Sequence, residues 1–62
     1  MWKLIIIHLN GVVTMEGTES YCRFHFKINA ELSMTNLYCF LYSNKGELTD
    51  TKTQYEQSLG AT

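Results

Sequence analysis

The residues that could do chemistry in this chain are few and scattered. Cys22 and Cys39 stand alone, without Cys-x-x-Cys spacing, and only His8 and His25 are present to complete a four-ligand zinc site. No metal and no cofactor are expected. Neither thiol has a neighbour in sequence that marks thiolate activation, and a thiol inside an apolar face is inert. Both cysteines are read as reduced core residues. A Cys22–Cys39 disulfide is the alternative, and it requires one particular strand register. The six carboxylates form no recognisable acid–base pair, and the four glycines form no phosphate-binding loop. A core this small seldom encloses a preorganised concave site, so no catalysis is expected.

Two constellations remain. Tyr21, Arg23, His25 and Lys27 alternate along one stretch, with aromatic and basic groups suited to base stacking and phosphate contact. They motivate an alternative reading as a binder of a nucleotide or single-stranded nucleic acid. The stronger constellation is aromatic. Tyr21, Tyr38, Phe40 and Tyr42 fall in the outward phase of two expected strands, with Ile6 and Val13 extending the surface at its other end. Tyrosine offers a large rigid contact area with a polar tip, and aromatics with arginine are enriched at binding hot spots. Tyr21, Arg23, His25, Tyr38, Phe40 and Tyr42 are therefore the expected partner-binding residues. His8 reads as a hydrogen-bonded histidine at a strand end.

Strands are the elements expected to position these groups. Asn10-Gly11 between apolar runs signals a hairpin, because a type I′ turn needs positive φ at both central residues. That turn sets Leu9 opposite Val12 and joins strands over residues 2–9 and 12–16. Gly11 as a bulge in one long strand is the competing reading. Residues 20–28 alternate Cys22, Phe24, Phe26 and Ile28 with polar residues, the period of a half-buried strand. Residues 35–43 are apolar in both phases, as in a central strand covered on both sides. Asn44-Lys45-Gly46 predicts a second hairpin into residues 47–54, whose threonines argue against a helix over residues 47–58. Between the third and fourth strands, residues 29–32 form a tight turn or residues 29–34 a helical turn. The tight turn sets Cys22 opposite Cys39.

Composition sets the frame. The chain has 62 residues, 45% apolar and 18% charged, which argues against disorder. Folding buries roughly 60% of the extended-chain surface at this length, a marginal core for a monomer. The net charge of −1 does not steer the chain to a polyanion or an acidic membrane. No apolar run approaches a membrane span or a signal peptide, so a cytoplasmic protein is expected, without membrane contact.

The expected fold is all-β: a small four- to five-stranded antiparallel meander, curled into a barrel or paired as a dimeric β-sandwich. One domain spans residues 1–57, and residues 58–62 form a frayed tail. The expected function is that of a non-catalytic interaction protein. It pairs with itself as a homodimer and binds and occludes an unidentified protein, as small phage-type inhibitors of host enzymes or defence systems do. A structural subunit of a larger assembly is a further alternative.

Overall fold

The structure is a computed structural model that describes residues 1–31 and 36–60. Its elements run β1 (Trp2–His8), β2 (Gly11–Gly17), α1 (Glu19–Glu31), β3 (Asn36–Tyr42), β4 (Leu48–Thr51) and α2 (Lys52–Gly60). The four strands form one antiparallel sheet in the order β2-β1-β3-β4. The expected antiparallel sheet is present. The all-β expectation is coarser than the molecule, because helices of thirteen and nine residues form a second layer on one face. The sheet is open, not a closed barrel, and its strand order is not that of a meander. Both β2 and β3 run antiparallel to β1, which lies between them.

The main correction falls on residues 20–28, which are helix α1 and not a strand. Thr18 caps the helix: its hydroxyl accepts from the Tyr21 amide at 3.2 Å, and its carbonyl accepts from the Cys22 amide at 3.0 Å. Glu19 sits in the first turn, where the helix dipole favours a negative charge. Cys22, Phe26 and Ala30 recur every four residues and are all buried. Cys22 and Phe26 fit period two and period four equally. Phe24 at 61% exposure and Ile28 at 39% show which period the chain obeys. A thirteen-residue helix spans about 20 Å, close to the roughly 23 Å of a seven-residue strand. It carries the chain from the end of β2 back to the start of β3.

Because Cys22 lies on a helix, the strand register that would face it with Cys39 does not exist. Both thiols are free and buried. Of the connection expected as a tight turn over residues 29–32 or a helical turn over 29–34, residues 29–31 belong to α1, and residues 32–35 lie outside the described residues.

The second correction lies at residues 47–54. Strand β4 stops at Thr51, and the chain turns directly into α2. The Thr51 hydroxyl accepts from the Gln54 amide at 3.1 Å, so Thr51 caps α2. Of the expected frayed tail, residues 58–60 continue α2, and residues 61–62 lie outside the described residues.

Both hairpins form. In the first, the paired residues are Ile7 with Val12 and His8 with Gly11, so Leu9 and Asn10 make the turn. Neither has positive φ; the one positive value, 147°, falls on Gly11. The turn is thus not type I′, and only glycine supplies the unusual conformation. In the second, Gly46 has φ 81° and donates its amide to the Ser43 carbonyl at 2.9 Å, as the αL position requires.

The core is one layer between sheet and helices: Leu4, Ile6, Cys22, Phe26, Ala30, Cys39 and Leu41, flanked by Trp2, Met15 and Tyr55. Its size fits the chain. The accessible surface is 4302 Å², against roughly 4,100 Å² expected for a compact monomer of this mass. The uncovered sheet face is therefore not a sign of an expanded molecule.

Candidate functional site

Side chains alternate across the sheet. Leu4, Ile6, Cys39 and Leu41 are buried under the helices, so the opposite phase must face away from them. Register assigns that phase to rows running across the strands. Glu16, Lys3, Tyr42 and Leu48 form one row; Thr14, Ile5, Phe40 and Thr51 the next; Val12, Ile7 and Tyr38 the third. Seven of these eleven residues are apolar or aromatic, and no described element covers them. Tyr38 and Phe40 lie nearly parallel, with ring centroids 6.2 Å apart. Ionic groups are confined to one end, where Lys3 and Glu16 are cross-strand partners. At that end an open groove of about 560 Å³ runs between Met1, Tyr42 and the Ser43–Gly46 turn.

Tyr38, Phe40 and Tyr42 therefore share one exposed face, as their alternation in sequence indicates. The structure separates them from Tyr21, Arg23 and His25, which lie on α1 in the other layer. Ile6 and Val13 do not extend the aromatic face. Both belong to the helix-facing phase, and Ile5, Ile7 and Val12 take their places. The signal for this is Lys3. A lysine two residues before Ile5 and four before Ile7 marks their phase as the solvent side.

On α1 the basic strip is not a free surface. The Arg23 guanidinium donates from Nε to Glu19 Oε2 at 2.8 Å and from Nη1 to Asp50 Oδ2 at 3.0 Å. It also lies over the Trp2 ring, 5.1 Å from the centroid. The hydrogen bond to Glu19, with Asp50 behind it, holds its pKa above the usual arginine value. Arg23 ties α1 to β4 and is not placed to receive a phosphate. Tyr21 and His25 pack together at 4.6 Å on the other flank of the helix, with Phe24 edge-on to His25 at 5.3 Å.

Burial raises the pKa of both thiols; at Cys22 a backbone hydrogen bond from Gly17 opposes the rise, and at Cys39 the Lys52 charge opposes it. Neither thiol is exposed to attack anything in solution. Among the described residues no three His, Cys, Asp or Glu side chains cluster as metal ligands. No described helix is long and apolar enough to cross a membrane.

No known protein family, curated protein or solved structure matches this chain.

Proposed function

We propose that this chain is a non-catalytic interaction protein that binds and occludes another macromolecule through its open sheet face. The supporting observation is the uncovered surface formed by Ile5, Ile7, Val12, Tyr38, Phe40, Tyr42 and Leu48. A soluble monomer rarely leaves so contiguous an apolar patch bare, and such patches mark association sites. The two tyrosines and Phe40 lie on adjacent rows along β3, so a flat partner surface meets all three at once. Lys3 and Glu16 at one end give the patch a polar rim, the usual border of a protein interface.

The test is comparative capture. Immobilised parent protein, the pair variant Tyr38→Ala/Tyr42→Ala and the helix variant Tyr21→Ala are exposed to the same lysate. The reading expects a captured species that the helix variant retains and the pair variant loses. Retention by the pair variant with loss by the helix variant would move the docking site to α1. A short-oligonucleotide titration at low salt tests the nucleic-acid alternative, whose polymer binding must weaken steeply as salt rises.

A further inference from the structure

We propose that two copies of this chain join edge to edge through β2, forming one eight-stranded sheet whose two open faces merge into a single docking surface. The inference deepens the reading above and rests on it for the use of the merged face.

The β2 edge carries this pairing. Seven residues, Gly11–Gly17, pair with β1 on one side and with no described strand on the other. Natural edges are blunted by lysine, proline or a bulge. This one has none of these; its pairing with β1 runs without a register break, and Glu16 is its only charge. An identical antiparallel strand satisfies every outward backbone group. Centred on Thr14, the pairing sets Val12 against Glu16 of the second copy and keeps the two Glu16 side chains apart. The two-fold axis then stands perpendicular to the sheet, so both open faces lie on the same side.

Helix α1 adds an apolar flank beside this edge. Tyr21, Phe24, His25 and Ile28 are spaced i, i+3, i+4, i+7, a stripe that leaves the core to Cys22, Phe26 and Ala30. Arg23 reaches β4, so by helical rotation Tyr21, His25 and Ile28 turn to the opposite flank, beside β2. Tyr21 also lies against Gly17 at the end of β2. Edge pairing turns the Tyr21 flank of each α1 toward the axis.

Tyr21 on this flank is 45% exposed, and Val13 and Ile28 are each 39% exposed, so apolar surface borders the paired edge on the helix side. The other edge ends the assembly at two. Strand β4 has four residues and a register break, and α2 follows it at once.

The experiment is absolute mass by light scattering across a hundredfold concentration range. The parent is expected at twice the chain mass of 7.2 kDa. Thr14 is exposed, so Thr14→Lys should fold, confirmed by circular dichroism, while setting like charges against each other at the axis. It should raise the dimer Kd about tenfold or more. An equimolar mixture of Thr14→Lys and Thr14→Glu chains should restore the dimer. Ile28→Glu should weaken it, and Tyr38→Ala/Tyr42→Ala should leave it unchanged. A parent that stays at the chain mass, or grows beyond two copies, overturns the proposal. A dimer lost in the tyrosine pair variant but kept in Thr14→Lys overturns it in favour of a face-to-face sandwich. None of these readouts uses a partner, so they separate failure of the dimer from failure of the docking face.

Discussion

Lys52, at the start of α2, donates from Nζ to the backbone carbonyl of Asn36, at the start of β3, and both residues are almost wholly buried. No carboxylate of the described residues pairs with this ammonium. The contact ties the last helix to a central strand. Asn36 extends it, donating from Nδ2 to the Asn29 carbonyl at 3.0 Å, and Asn29 in turn donates to the His25 carbonyl at 2.7 Å. Lys52→Met keeps an apolar stem and deletes the donor, so stability should fall by about 1–2 kcal/mol, the cost of an unsatisfied buried carbonyl. Lys52→Ala also removes the packed stem and should cost more. Urea unfolding measures both. A methionine variant as stable as the parent would show that the Asn36 carbonyl needs no lysine.

The capping threonines carry the next prediction. Thr18 accepts from the Tyr21 amide and Thr51 from the Gln54 amide. Thr18→Ala and Thr51→Ala should each cost about 1 kcal/mol. Thr18→Ser should retain most of that. Helical circular dichroism at a fixed urea concentration should fall in step with the lost stability. An unchanged unfolding midpoint in Thr18→Ala would mean that packing of Cys22 and Phe26 alone holds α1.

These threonines also explain how the sequence could be misread. Thr51-Lys52-Thr53-Gln54 has the spacing of a capping box, yet its threonine density reads as strand when the residues are scored singly. At α1, Cys22 and Phe26 satisfy both helical and strand periods. Glu19 and Arg23 break the tie: four residues apart, they pair only on a helix. Strands β1 and β3 were readable because each is a hydrophobic run followed by a turn signal, Asn10-Gly11 after β1 and Asn44-Lys45-Gly46 after β3. Their faces were half readable. The outward phase of Tyr38, Phe40 and Tyr42 follows from alternation, whereas the choice of Ile5 over Ile6 hangs on the single charge of Lys3 in that phase. Strand order was not readable, because it depends on where α1 returns the chain.

Arg23 and Asp50 should show a small, salt-sensitive coupling. Their side chains are 47% and 39% exposed, and partly exposed pairs contribute about 0.2–1 kcal/mol. A double-mutant cycle of Arg23→Met and Asp50→Asn, followed by urea unfolding, should give a value in that range at low salt. In 1 M salt it should shrink, as the screening length falls to about 3 Å. Arg23→Met alone should cost more than the coupling, because it also loses Glu19 and the Trp2 ring. A coupling of zero at low salt would mean that the Nη1–Oδ2 contact does not hold α1 to β4 in solution.

The two thiols should make the fold sensitive to alkali. Burial raises the pKa of Cys22 and Cys39 in the native state, whereas an unfolded thiol titrates at about 8.5. Above that value the unfolded chain sheds protons that the folded chain keeps. Their stabilising contribution is therefore complete below about pH 8.5 and is lost as the pH rises toward the native values. The urea midpoint should hold level near neutrality and decline between about pH 8.5 and 9.5, before tyrosine and lysine titrate. Cys39→Ala should start less stable and decline less steeply, since one linked proton is gone. The same burial fixes the reactivity. At neutral pH an aromatic disulfide reagent should modify both thiols only as fast as the chain opens, and urea should accelerate the reaction in step with unfolding. Modification of either thiol at the rate of a free cysteine in native buffer would place that residue outside the core.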